Sequence, residues 1–377
     1  VSEKEKIQIQ AHYYAEGRAD LQKGIETYQL WASTYPNDWV PWVDLANDFT
    51  QLGQYPEAID AAQHAMRISP DMPINYSVLA RAYARANRFA EGKAVVQQAI
   101  QKKIDYDGMH GTLFDIAIAE NDQATLAQEI KWGQDHASGW YGWFFPDREA
   151  GAAAAAGKMQ EADALFRQSS DIAQHEYLPD AADEVLMDQA TVQLAVDRPE
   201  AARATLAAVG QADRNSTEFM ILQAQCGDAS AAEHYLTAHS GDAYSGTVQA
   251  HIDLPRLRAA LAMRKGKPLD AIAALEPATP YELATYEVLW QRAEAFRLAK
   301  QGEQAASEYQ KILANPGIDP VDVLYPLAHL GLARALALQN KAAESRASYE
   351  KFFALWKDAD ADSPVLHEAR LEYARLQ

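Results

Sequence analysis

Apolar residues recur along this chain at helical spacing. Trp42, Leu45 and Phe49 stand at i, i+3 and i+7, and Ala58, Ala62 and Ala65 repeat the pattern, so each trio lies on one face of a helix. The period-two alternation of β-branched residues that marks a half-buried strand is nearly absent, and no sheet is expected. Pro36 and Pro70, 34 residues apart, each close a segment that reads as two such helices. Aligning on them superimposes 5–38, 39–72 and 73–106 without a gap. A period of this length marks a stacked repeat, in which each unit hides its apolar face on its neighbours.

In 39–72 every residue type has a mechanical reason. Ala46, Ala58 and Ala65 let two helix backbones approach, Gly53 and Tyr55 sit at the turn, and Pro70 stops the second helix. The next unit repeats this with Tyr76, Leu79, Ala80, Tyr83, Val96 and Ala99, and the first has Ala11, Gly24, Tyr28, Trp31 and Pro36. Later units fall at 141–177 and 180–211, weakly patterned, then at 246–280, 283–318 and 321–358, strongly patterned. The reading is an all-α superhelical solenoid of about ten helical hairpins. It runs over 1–377 as one body: regular repeats in 1–140, degenerate ones in 141–245, regular ones in 246–362. A capping helix in 363–377 opens on Ser363 and Pro364. The first helix of each pair should build a concave wall, which is the expected binding surface.

The pattern Trp42, Leu45, Ala46, Phe49, Gly53, Tyr55, Ala58, Ala62, Ala65 and Pro70 identifies the repeat as tetratricopeptide-type (TPR). The stretches 11–14 and 25–41, with Ala328 to Ala335, Leu355 to Asp360 and Pro280-Tyr281-Glu282, are similar to one branch of that superfamily. It is the C-terminal repeat region of eukaryotic-like serine/threonine kinases in acidobacteria and related bacteria. The resemblance implies a sensory or docking domain linked to a kinase or other effector, on the extracytoplasmic side of a membrane if a spanning helix precedes it. Without that resemblance a cytoplasmic location is expected. No Gly-rich phosphate loop, His-Arg-Asp or Asp-Phe-Gly motif occurs in the chain, so no kinase activity is expected in it.

Charge narrows the partner. Acidic residues number 53 against 34 basic ones, a net charge of −19, which repels nucleic acid and anionic membranes and favours basic or neutral proteins. A single cysteine, Cys226, gives no disulfide framework or thiol cluster, and no apolar run is long enough to insert in a membrane. His234, His239 and His251 do not share a helix face, and Asp358, Asp360 and Asp362 lack the glycine and glutamate of a calcium loop, so neither metal nor cofactor is expected.

Two groups of residues are candidates for contact with a ligand. The register puts Asn47, Thr50, Ser77, Arg81 and Arg85 on the groove side of the second and third units, with Val40 and Val43. Asparagine and guanidinium groups can together hold a peptide carboxylate, but Val43 and Val78 stand where the remaining clamp residues belong, which leaves a polar peptide groove as the favoured reading. The run Gly139 to Pro146 packs in Trp140, Tyr141, Trp143 and Phe144, aromatics that either contact a ligand or plug an irregular joint between units. The chain thus reads as a scaffold for a protein or peptide; a self-associating structural module and an enzyme without a familiar motif are the alternatives.

Overall fold

The computed structural model describes residues 2–136, 141–239 and 246–376, and among these no strand occurs. Ten helix pairs follow one another: α1 (Glu3–His12) with α2 (Leu21–Thr34), α3 (Val40–Gln51) with α4 (Tyr55–Ile68), α5 (Pro73–Arg85) with α6 (Phe89–Gln101), and α7 (Asp107–Glu120) with α8 (Gln123–Asp135). Then come α9 (Tyr141–Ala155) with α10 (Met159–His175), α11 (Pro179–Ala195) with α12 (Pro199–Leu206), and α13 (Thr217–Cys226) with α14 (Ala229–His239). The last three are α15 (Leu254–Arg264) with α16 (Pro268–Leu275), α17 (Tyr286–Leu298) with α18 (Gly302–Ala314), and α19 (Leu324–Leu338) with α20 (Ala342–Leu355). Helix α21 (Pro364–Ala374) covers the end, capped by the Ser363 hydroxyl, which accepts from Leu366 N–H, and seated by Leu366 and Ala369.

Each pair turns through one residue with positive φ: Ala19, Gly53, Asn87, Asn121, Gly157, Asp197, Gly227, Gly266, Lys300 and Asn340. Eight of these ten are Gly, Asn or Asp, the types that reach the left-handed region most readily, so the turn is written into the sequence more regularly than the apolar pattern. The pair α13–α14, where the apolar register is lost, still carries it at Gly227.

Inside the pairs the small residues lie where the spacing predicts, with Ala46, Ala58, Ala62 and Ala65 fully buried and Leu45 only 1% exposed. Truncating Leu45 to alanine should therefore cost about 2–5 kcal/mol in chemical unfolding. Phe49, half-buried at the edge of an open apolar groove between α2 and α4, should cost less, and equal losses at both sites would contradict this packing.

The coil then closes on itself. Thr247 N–H donates to the Ala19 carbonyl (2.9 Å), Tyr55 O–H to that of Leu283 (2.6 Å), and Gly317 N–H to Asn87 Oδ1 (2.8 Å). The turns of the first three pairs thereby meet the loops that lead into the eighth, ninth and tenth, so about seven pairs complete one superhelical turn. A further joint runs from the fifth pair to the tenth, where the Trp356 indole donates to the Ala155 carbonyl (3.0 Å) and Asp360 N–H to that of Gly157 (3.1 Å). One apolar cluster spans this joint, with Trp143 and Phe166 from the fifth pair and Val323, Leu327 and Trp356 from the tenth.

An elongated open trough, which a repeat pattern alone suggests, is therefore not what forms. The rotation between pairs is set by contacts between distant positions, which a 34-residue period does not encode. The accessible surface, 17320 Å², is larger than the roughly 15000 Å² of a solid globule of this mass, as a coil around an interior requires.

Candidate functional site

The first helices of successive pairs form the inner wall, and their charged residues fall into rows when the helices are aligned on the left-handed turn residue. Glu184, Asp253 and Glu287 each stand 13 residues before it; Arg148, Asp188, Glu218 and Gln291 stand nine before it. Sequence reasoning tied to the apolar pattern missed these rows, and the turn residues are the signal that recovers them.

Arginines neutralise part of the wall. Arg148 Nη2 bridges Asp115 Oδ1 (2.7 Å) and Asp319 Oδ1 (2.8 Å), tying α7, α9 and the loop before α19 together. Arg256 grips Glu218 with both terminal nitrogens (2.8 and 3.3 Å) and lies 3.8 Å from Asp253. Burial favours loss of their charge, but the carboxylates outweigh it and raise both arginines.

The remaining acids form no direct ion pair among the described residues, and Arg148 and Arg256 act on them only at a distance. Glu184 and Asp188, one helical turn apart on α11, keep accessible surface but face the enclosed interior of the coil, where the surrounding walls displace bulk water, and neither forms an ion pair with a described residue. Asp147 Oδ1 is buried without a hydrogen bond, Glu287 accepts from the Thr285 hydroxyl, and Asp322 accepts from Leu324 N–H (2.8 Å) at the start of α19. Burial by the surrounding walls, then repulsion from Glu184 and Asp319, push Asp147 up to about 7 against the pull of Arg148. Burial with repulsion from Asp147, Glu184 and Asp319 raises Asp188 well above the carboxylate range, and burial with repulsion from Glu287 and Asp319 does the same for Asp322. Asp319 is the exception, since Arg148 and Arg85 outweigh burial and hold it low. The wall carries more carboxyl groups than its own arginines balance.

A cavity of about 330 Å³ opens in this wall. Thr191 and Leu194 of α11, Glu218 and Gln225 of α13, Arg256 of α15, and Glu287, Trp290 and Gln291 of α17 line it, with Leu324 at one end. Two of its polar atoms, Gln291 Oε1 and Arg256 Nε, have neither a protein partner nor water contact, a condition that costs about 1–3 kcal/mol per group.

The groove residues read from sequence lie one turn of the coil away. Arg81 Nη2 donates to Asn47 Oδ1 (2.6 Å) across the 34-residue period, Thr50 bonds back to the Ala46 carbonyl (2.7 Å), and Ser77 is 4% exposed. Arg81 and Arg85 line a narrow crevice with Gly317 and Pro320, so the loop before α19 lies over them. Of the aromatic run, Trp143 is 5% exposed in the inter-turn core, and Phe144 packs edge-on between Trp143 and Phe145. Trp140 and the side chain of Tyr141 lie outside the described residues. No group of three or more His, Cys, Asp or Glu among the described residues is arranged to hold a metal ion. No helix among them is long and apolar enough to cross a membrane.

A second set of unpartnered acids gives a pH prediction. Asp44 and Asp48, on α3, each leave Oδ2 buried without a hydrogen bond; burial, then the charges of Asp44 and Glu16, push Asp48 up to about 7. Its folded-state value, like that of Asp147, lies above the unfolded one. The stability linked to it is thus complete below pH about 4 and is lost as pH rises through 7. His329, lowered by burial to about 4, acts in the opposite sense, but only between about 4 and 6.5. From pH 6 to 8 the chain should lose about 1–2 kcal/mol, and Asp48→Asn should flatten that slope. A pH-independent melting temperature over this range in both proteins would contradict the assignment.

No protein-family model matches the chain, and no curated protein is similar to it in sequence. Among solved structures it is similar to the TPR domain of P58(IPK), 13% identical over 100% of this chain and 98% of that one, with a TM-score of 0.28. It is also similar to yeast Tom70, 10% identical over 99% and 95%, TM-score 0.31. A third is the Cut9–Hcn1 heterotetramer of APC/C, 12% identical over 91% and 74%, TM-score 0.33.

Proposed function

We propose that the coil is a protein-binding scaffold that holds a segment of a partner along its inner wall and does no chemistry itself. The observation that carries this reading is the surplus of unpaired carboxylates on the inner helices, with Glu184 and Asp188 facing the interior of the coil and no hydrogen-bonded nucleophile or base beside them. Carboxylates crowded this way are costly for the free protein, and a bound cation or donor group relieves the cost. Their perturbed protonation would equally suit an acid–base catalyst, but that role needs a hydrogen-bonded partner, and Asp147 Oδ1 has none.

The finer role, a sensory or docking domain of a kinase-linked signalling protein on the extracytoplasmic face of a membrane, rests on the sequence resemblance. Reading the coding region upstream of Val1 tests it: a kinase followed by a spanning helix is the expected result, and a different effector without one would contradict it.

For the scaffold itself, an array of peptides of mixed sequence should retain the protein on a subset. A Glu184→Gln, Asp188→Asn variant should lose most of that subset, while Glu57→Gln on outer helix α4 should keep it. Retention of no peptide above background, or equal losses in both variants, would overturn the reading.

A further inference from the structure

We infer that the cavity between α11, α13, α15 and α17 seats a lysine or arginine side chain from an extended segment of the partner. Glu287 would supply the counter-charge, and Trp290 would lie against the methylene stem. The inference rests on the scaffold reading and adds the partner's chemistry and the place of contact.

Three independent features of the cavity point to this occupant. Its volume, about 330 Å³, lies at the small end of ligand pockets and suits one long side chain and the backbone that bears it. Its walls join carboxylates, the Trp290 ring and the apolar faces of Leu194, Ile221 and Leu222, the combination that holds a charged head on an alkyl stem. It also holds an acceptor and a donor without partners, Gln291 Oε1 and Nε of Arg256, whose side chain is 8% exposed. A peptide unit offers both complements, an N–H for Gln291 and a carbonyl for Arg256 Nε, once the two side chains turn these buried atoms toward the cavity. Glu287 forms no direct ion pair: Arg256 pulls on it at a distance, but both terminal nitrogens of that guanidinium are bonded to Glu218. An anionic segment would meet Glu287 with like charge, while Glu218 already occupies Arg256.

Fluorescence anisotropy with a labelled peptide of alternating arginine and serine tests the assignment, beside the same peptide with glutamate for arginine, and spermine. The arginine peptide should bind the wild-type chain in low salt and the glutamate peptide should not. Glu287→Gln should weaken binding at least tenfold, and Gln291→Leu at least threefold. Glu344→Gln, an exposed change on outer helix α20, should leave binding unchanged. Because Glu287→Gln removes a crowded charge, its melting temperature should equal or exceed that of the wild type, and Gln291→Leu provides the test should that variant fail to fold. Arginine-peptide binding that both cavity variants retain would place the basic segment elsewhere, overturning this inference while leaving the scaffold standing. Failure of the arginine peptide, with capture of the glutamate peptide or of spermine alone, would overturn the choice of occupant.

Discussion

Truncating Trp356 to alanine should lower the unfolding free energy by about 3–5 kcal/mol, the upper range for a buried aromatic. The residue is 1% exposed, and its ring packs at 4.8 Å and a 42° tilt against Phe352 and covers Gly157, where a Cβ would fall 2.8 Å from it. Its N–H reaches the Ala155 carbonyl, some 200 residues away in sequence. The contact therefore joins the fifth pair to the tenth, and losing it should do more than lower the midpoint. In a stack held only by neighbours, unfolding spreads pair by pair; a bond between distant pairs makes it cooperative. The alanine variant should unfold in two steps, with α19–α21 leaving first, whereas Trp356→Phe should keep one step and lose roughly 1 kcal/mol for the hydrogen bond. A single unshifted transition in the alanine variant would contradict the joint.

Gly317→Ala should damage the third joint by crowding. A Cβ there would sit 2.0 Å from the Ala84 carbonyl oxygen, a backbone atom that cannot swing aside, so the two turns of the coil must separate locally. Overpacking of this kind costs about 1–3 kcal/mol, to which the lost bond from Gly317 N–H to Asn87 is added. Exchange of the Gly317 and Thr247 amides should accelerate, the first strongly and the second little, because the joints are separate contacts. Gly53, with φ +71 and a Cβ position 2.5 Å from the Leu283 carbonyl carbon, should respond in the same way at the second joint. Unchanged protection at Gly317 would show that the turns do not touch there.

These joints mark where the sequence stopped being legible. The helix pairs could be read because close packing demands small residues at fixed spacing, and Ala46, Ala58 and Ala65 are buried as that demand requires. The register was sound enough that Asn47 and Arg81, one period apart, meet in a hydrogen bond. Closure was not legible, since Gly317 meets Ala84 and Tyr55 meets Leu283 over more than 225 intervening positions, and neither residue type announces its partner. Nor was the acidic wall. Acids on helices usually face solvent, and only the turn residues Asp197, Gly266 and Lys300 align Glu184, Asp253 and Glu287 into one row. The pair α13–α14 was hidden for a related reason: its core residues, among them Phe219, Ile221, Leu222 and Cys226, face neighbours on several sides and blur the helical period.

The central claim is that ten stacked pairs coil through more than one turn and close around an acid-lined interior. Small-angle X-ray scattering at pH 7 tests it most directly. A closed coil should give a radius of gyration slightly above the roughly 21 Å of a solid globule of this length, and below about 25 Å. Ten pairs stacked about 10 Å apart without closure would extend near 100 Å and give about 30 Å, and a value of that size would contradict the account.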